Sequence, residues 1–158
     1  MKKENAVGLL ISIIIAETVG VLSGALAGNS SGIYQTLALP PLSPPGWVFP
    51  VVWTILYALM GIVSYLIYQS RSGGELQKQN ALLFYGVQLF VNFLWSIVFF
   101  RFGLYGLSVA VVLLLLVLVM ITVSKFYQIN RTAAYLLFPY LLWLLFAVYL
   151  NVGTVILN

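Results

Sequence analysis

Val109-Ala110-Val111-Val112-Leu113-Leu114-Leu115-Leu116-Val117-Leu118-Val119-Met120-Ile121 contains no side chain able to hydrogen-bond and no alternation of polar with apolar positions. A strand of a membrane barrel would alternate over about ten residues, so this run reads as the middle of a helix in lipid. With its flanks it covers 104–125, and four further apolar stretches, 6–27, 47–69, 80–100 and 133–153, have the same character. Each is roughly 20 residues or longer, enough at about 1.5 Å rise per residue to cross a hydrocarbon core about 30 Å thick. A buried helix of a water-soluble domain would not recur in this way along a whole chain. Lipid gives backbone amides no water partner, so uninterrupted helices are the economical solution. The expected fold class is all-α, an integral membrane bundle of five transmembrane helices in which 1–158 is a single domain.

The charges support that expectation. Hydrophobic residues make up 63% of the chain and charged ones only 6%, whereas a soluble surface needs about a quarter charged positions. Every charged side chain except Glu17 lies at the end of a stretch or between two. Lys2, Lys3, Arg71, Lys78, Lys125 and Arg131 fall on one side of a five-span arrangement and Arg101 on the other. The positive-inside rule then predicts a multi-pass protein of the cell (inner) membrane, N-terminus cytoplasmic and C-terminus outside. Lys2 and Lys3 before an apolar run resemble a signal peptide, but the run is long, carries Glu17 and leads into Gly28-Asn29, so it is expected to be retained. The net charge of +4 needs no nucleic-acid partner, since bases at helix ends meet the lipid bilayer's headgroups. Cysteine and histidine are absent, which removes thiol chemistry and the commonest metal ligands; no metal site is expected.

Connections between the later stretches are short, and consecutive helices are expected to be neighbours. The first connection, 28–46, is longer, carries no charge and ends in Leu39-Pro40-Pro41-Leu42-Ser43-Pro44-Pro45-Gly46. That proline-rich end reads as stiff and extended, with Ser43 and Pro44 suited to the cap and first position of the next helix. The connection as a whole is either a plain connector or a lid over a cavity. On the first span Ser12, Ala16, Gly20, Gly24 and Gly28 recur every four residues, a smooth face that admits another backbone closely, within the bundle or between copies. Glu17 lies beside that face. Its ionised form is costly in lipid, and with no second acidic residue in another span a packing role outweighs a proton path.

The chemistry is aromatic. Trp53, Tyr57, Gly61, Ser64 and Tyr68 follow the three-to-four spacing of one helix side. So do Tyr85, Gln88, Asn92, Trp95 and Ser96 on the third span, and Tyr140, Trp143, Ala147, Leu150 and Asn151 on the fifth, where Pro139 loosens the preceding turn. Amides are costly against lipid, so Gln88, Asn92 and Asn151 should face the bundle interior or a cavity. Packing with interfacial belts accounts for Tyr68, Tyr105 and Tyr127. It accounts less well for Trp53, Trp95 and Trp143, each on a face with an amide or hydroxyl, and these suit a pocket for a flat, largely apolar ligand that Asn92 or a tyrosine hydroxyl orients. The fourth span, lacking such groups, is expected to be the one most exposed to lipid.

Pro44-Pro45-Gly46-Trp47, the run Trp53 to Gly61, Asn92-Phe93-Leu94-Trp95-Ser96 with Phe99-Phe100, and Pro139-Tyr140-Leu141-Leu142-Trp143 with Phe146-Ala147 and Leu150-Asn151 together resemble the tryptophan-rich sensory protein family, also called the translocator protein or peripheral benzodiazepine receptor family, in the manner of a bacterial member. The likeness covers essentially the whole chain. It implies a five-helix bundle, commonly a homodimer, that binds tetrapyrroles such as protoporphyrin IX and synthetic isoquinoline carboxamides in a cavity covered by the first loop. Trp53, Asn92, Trp95, Trp143, Ala147 and Leu150 match positions associated with that pocket. With Trp47, Tyr57, Gln88, Tyr140 and Asn151 they form the expected ligand site. The sterol-recognition stretch of animal members, a tyrosine and then an arginine after the Leu-Asn of the last helix, is missing here.

Three classes of function follow. The first is a tetrapyrrole-binding sensor or scavenger that requires no cofactor. The resemblance implies that bacterial members promote light-dependent porphyrin breakdown, for which Trp53 and Trp143 are the candidate catalytic residues, as electron donors beside the ring. The second is a transporter of porphyrins or other apolar ligands, against which stand five spans, no internal repeat and no set of membrane charges for ion coupling. The third is a regulatory partner of another membrane protein.

Overall fold

The computed structural model describes residues 2–158 and is helical throughout. Helix α1 runs Lys3–Ala27, α2 Ser30–Thr36, α3 Val48–Gln69, α4 Glu75–Ser96, α5 Tyr105–Ile129, α6 Arg131–Leu136 and α7 Phe138–Leu157. Five spans long and apolar enough to cross a membrane result among the described residues: α1, α3, α4 with its continuation to Arg101, α5, and α6 with α7. The chain is an all-α multi-pass membrane bundle.

Consecutive spans touch, α3 and α4 least of all, and further contacts close the bundle. Helix α1 packs against both α3 and α4, α4 against α5, α5 against α6 and α7, and α3 against α6. The ring therefore runs α3, α1, α4, α5, then α6 and α7, and back to α3. The α1 crossing is close because Gly61 has no side chain: a β-carbon there would lie 2.5 Å from Ile13 Cα and 2.8 Å from the Ser12 carbonyl oxygen. In lipid, where apolar burial drives helices together only weakly, such backbone approach and interhelical hydrogen bonds carry the association. Ser23 on α1 donates one of these bonds to the Phe93 carbonyl of α4, at 3.0 Å.

Two spans are interrupted. Pro139 lacks an amide hydrogen and cannot continue the ladder of α6, so the fifth span breaks at Leu137 and restarts as α7. At the end of α4 the turn Ile97–Arg101 is widened, with the Phe102 amide bonding back to the Ile97 carbonyl at 3.1 Å. Helix α1 ends at Gly28, whose φ of +80° suits a residue without a β-carbon.

Three expectations are corrected. The first connection holds a helix, α2, capped by the Asn29 side chain, which accepts the Gly32 amide at 3.1 Å. Ser43 and Pro44 do not start the next helix: Ser43 donates back to the Pro40 carbonyl at 2.6 Å, Pro44 accepts from the Tyr34 hydroxyl, and α3 begins at Val48. The span with least buried surface is α1, not α5, because Val112, Leu115 and Val119 of α5 are fully buried between α4 and α7. An apolar run is equally suited to lipid and to a core, so composition alone could not separate the two.

Candidate functional site

The bundle is solid at one end and hollow at the other. Met60, Val63, Ile67, Phe126, Ala134 and Leu137 fill the end near the α3–α4 connection. At the opposite end the helices enclose a cavity of about 710 Å³, within the range of about 300–1,000 Å³ typical of small-molecule sites. Its floor is set by Tyr57 and Asn92, its walls by α1 from Glu17 to Ala27, α3 from Phe49 to Tyr57, α4 with its widened turn up to Phe100, and α7 from Trp143 to Thr154. Ser30, Ser31, Tyr34 and Gln35 of α2 form the roof.

Helical spacing explains the walls. Asn92, Trp95, Ser96, Phe99 and Phe100 share one side of α4 and its widened turn, and Trp143, Ala147, Leu150, Asn151 and Thr154 one side of α7. The rings form two contacting groups in the lining. Trp53 and Trp143 meet edge to face at 6.4 Å, Phe49 meets Trp143 at 5.8 Å, and Trp95 stacks on Phe99 at 5.4 Å. The lining continues into the roof, where Tyr34 meets Phe49 at 5.0 Å.

Beneath the floor runs a chain of hydrogen bonds across three helices. The Tyr57 hydroxyl donates to Asn92 Oδ1 at 3.1 Å, Asn92 Nδ2 donates to the Tyr140 hydroxyl at 2.7 Å, and that hydroxyl donates to Gln88 Oε1 at 2.9 Å. Gln88 Nε2 then faces the Met60 sulfur at 3.8 Å. A second network fixes one wall: Trp95 Nε1 donates to Asn151 Oδ1 at 2.8 Å, and Asn151 Nδ2 donates to the Ser108 hydroxyl at 2.9 Å.

Of the expected site residues, Trp47, Trp53, Tyr57, Asn92, Trp95, Trp143, Ala147, Leu150 and Asn151 line the cavity, Trp47 lying exposed at its mouth. Gln88 and Tyr140 do not. Both are 1% exposed and lie below the floor, because the Asn92 and Tyr57 side chains stand between them and the void. Asn92 and the Tyr57 hydroxyl, expected to orient a ligand, form the floor. These groups already hydrogen-bond one another, and no buried side-chain polar atom among the described residues lacks a partner. The small-residue face of α1 is turned inward. Ala16 is fully buried, a β-carbon on Gly20 would strike the Tyr57 ring at 2.5 Å, and Gly24 borders the cavity with nothing within 4 Å of its β-carbon position.

The sequence reading missed how the roof is tied down. Pro40 rests on α7 where Gly153 leaves room, a β-carbon there lying 2.6 Å from the proline ring. The Tyr149 hydroxyl donates to the Pro41 carbonyl at 2.6 Å. Asn158 exchanges two bonds with the Ala38 backbone, at 3.1 and 2.8 Å. Within the loop, burial raises the Tyr34 phenol above the usual tyrosine value, keeping it a donor to Pro44. Glycine in a span beside a hydrogen-bonding tyrosine four residues earlier was the available signal, though it names no partner.

Among the described residues no three His, Cys, Asp or Glu side chains converge. The lining thus offers a ligand ring faces, apolar surface, a few hydroxyls, the amides of Gln35, Asn92 and Asn151, and Glu17.

The sequence model of the TspO/MBR family matches residues 12–157. The chain is 38% identical over 125 residues to a tryptophan-rich sensory protein of Cereibacter sphaeroides, covering 79% of this chain and 76% of that one. It is 32% identical over 143 residues to a translocator protein of Bos taurus, covering 89% and 85%. Over 155 residues it is 32% identical to a tryptophan-rich protein TspO of Archaeoglobus fulgidus, covering 98% and 99%.

Proposed function

We propose a function from two facts: the chain belongs to the TspO/MBR family, and its bundle encloses a cavity walled by Trp53, Trp95 and Trp143. The cavity binds a flat, largely apolar ring system, a tetrapyrrole of the protoporphyrin IX kind, and the protein acts as a membrane sensor or scavenger of that ligand. The observation that carries this reading is the near-continuous ring lining from Tyr34 through Phe49 to Trp143 and Trp53. Such a wall gains from stacking and apolar burial without demanding a complementary pattern of hydrogen bonds. It accepts an isoquinoline carboxamide on the same grounds.

Quenching of tryptophan fluorescence by protoporphyrin IX, in detergent and in bilayers, tests the proposal. Saturable quenching is expected, with the free base bound within about tenfold of its iron form, because the chain has neither histidine nor cysteine to ligate iron. Absence of saturable quenching in either medium would refute it. Trp53 and Trp143, oxidisable and in mutual contact in the wall, supply the electron donors for light-dependent breakdown. Illumination in oxygen should then give a defined product over several turnovers, and less of it when either tryptophan becomes phenylalanine. A yield never exceeding the amount of protein would leave binding alone.

The same reading puts the N-terminus in the cytoplasm, with the cavity mouth in the outer half of the inner membrane. Single cysteines placed at Ser72 and Ser43 of this cysteine-free chain should label from the inside and the outside respectively. A homodimer, implied by family resemblance, would use the lipid-facing side of the bundle, since the stripe from Ser12 to Gly24 faces α3 and the cavity.

A further inference from the structure

Opposite chemistry stands at the deep end of the cavity and beside its mouth. Glu17 is the only acidic residue in its wall and lies at the deep end, level with the floor. Arg101 follows the wall residues Phe99 and Phe100 and stands just outside the wall, beside the mouth. One guanidinium nitrogen of Arg101 is 4.0 Å from where a β-carbon on Gly28 would lie, and Gly28 adjoins the wall residue Ala27. Gly28 is eleven residue steps beyond Glu17 along α1 and its cap, roughly 16 Å at about 1.5 Å per residue. Arg101 is exposed and, among the described residues, makes no ion pair and no side-chain hydrogen bond. Among the described residues it is also the only basic side chain at the mouth end of the bundle, the other bases lying at or near the opposite ends of their helices.

We propose that Arg101 is the specificity-determining residue of the cavity, capturing the acidic edge of a flat ligand at the rim while the aromatic walls hold its apolar body. The ligand class this selects is a ring system with carboxylates along one edge and none on the other. The inference rests on the tetrapyrrole reading above and sharpens it. The floor offers no charge to hold an acidic edge: Tyr57 and Asn92 are neutral and already bonded to each other. Nor does the deep end offer a carboxylate a cation: its acidic group, Glu17, has no base beside it among the described residues. A guanidinium at the rim pairs with carboxylate in a planar, two-pronged geometry and keeps its charge at any physiological pH. The competing role for Arg101 is to complement the C-terminal carbonyls of α1, which end beside it. That role would affect stability and would be blind to the ligand's charge.

The test compares protoporphyrin IX with its dimethyl ester, which has the same ring and no carboxylate, by tryptophan quenching in one neutral detergent. The unaltered protein should prefer the diacid by about tenfold. Arg101→Gln should abolish that preference by weakening the diacid alone, and Arg101→Lys should restore part of it. An equal preference in the protein and in Arg101→Gln, or an equal loss for both ligands, would overturn the assignment while leaving the cavity reading intact. Failure of both porphyrins to bind the unaltered protein would overturn the two together. Thermal unfolding of each variant followed by α-helical circular dichroism separates loss of fold from loss of charge recognition.

Discussion

Replacing Gly153 by alanine adds one carbon to α7 at the point where the first loop is seated on it, and two energies of opposite sign then compete. Inside a helix alanine is better than glycine by about 1 kcal/mol. The added β-carbon, however, would lie 2.6 Å from Pro40 Cβ and Cγ, and ordinary carbon contacts are about 3.5–4.0 Å. The proline must therefore retreat by about 1 Å. Pro40 is buried, and its ring is stiff and followed by Pro41, so the retreat moves the segment that Tyr149 and Asn158 hold. Bonds of 2.6 to 3.1 Å would be stretched past useful geometry. Overpacking of this kind costs about 1–3 kcal/mol, which raises the population of the detached loop by roughly fivefold to a hundredfold. Hydrogen exchange at the Ala38 amide, which donates to Asn158, should quicken by that factor, and ligand should dissociate faster, while helix α7 itself is no less stable. Gly86→Ala is the control, since nothing lies within 4 Å of a β-carbon there. Unchanged exchange at Ala38 in Gly153→Ala, with the control also unchanged, would show that the Pro40 seat does not hold the loop.

The other expectations follow from the same geometry. Gly61→Ala should break the α1–α3 crossing, because the obstacle at 2.5 Å is Ile13 backbone rather than a movable side chain; loss of several kcal/mol of stability in a denaturant titration is expected, and a tolerant variant would refute the crossing. Gly24→Leu should fill cavity space without a clash, lowering tetrapyrrole affinity by about tenfold or more with helicity retained; a lost cross-linkable dimer with binding intact would instead place this face between subunits. Trp143→Phe should weaken binding without unfolding, and the matching control is Leu114→Ala, which faces lipid. Leu115 is 1% exposed, so Leu115→Ala should cost about 2–5 kcal/mol of stability with affinity of the folded fraction preserved. Asn92→Leu should leave the Tyr57 hydroxyl unpaired while the Tyr140 hydroxyl keeps its bond to Gln88, at about 1–3 kcal/mol for the one buried group left without a partner, read as a lowered midpoint of unfolding.

What was legible in the sequence was what a single segment can express. The lengths of the spans follow from uninterrupted apolar runs, and the shared faces of Trp53 and Tyr57, or of Trp143, Ala147 and Asn151, follow from spacing. A face, however, says only which residues travel together. Whether Tyr140 looks into the void like Trp143 or beneath it depends on which helix stands opposite and at what height. Tyr140 met the amides of Gln88 and Asn92 there, and Trp143 met the ring of Phe49. The same limit explains Leu115. Its four-leucine run satisfies lipid on one side and the α4 and α7 contacts on the other, and one-dimensional hydropathy is the same for both.

The small-residue stripe of α1 shows the point most sharply. Ser12, Ala16, Gly20 and Gly24 form one periodic pattern, yet each does something different. The Ser12 carbonyl receives the bare backbone at Gly61, Gly20 admits the Tyr57 ring, and Gly24 leaves space in which a ligand can sit. Smallness allows close approach but does not choose what approaches. The choice is made by the partner, and here the partner changes along the helix from α3 backbone to an α3 ring to a void. The change occurs at Tyr57, whose hydroxyl bond to Asn92 closes the floor. Close packing below Tyr57 and the cavity above it are therefore two consequences of one side chain wedged against α1. Substituting Gly20 by a larger residue should disturb packing and cavity together, which distinguishes it from Gly61, where packing fails first, and from Gly24, where only the cavity is lost.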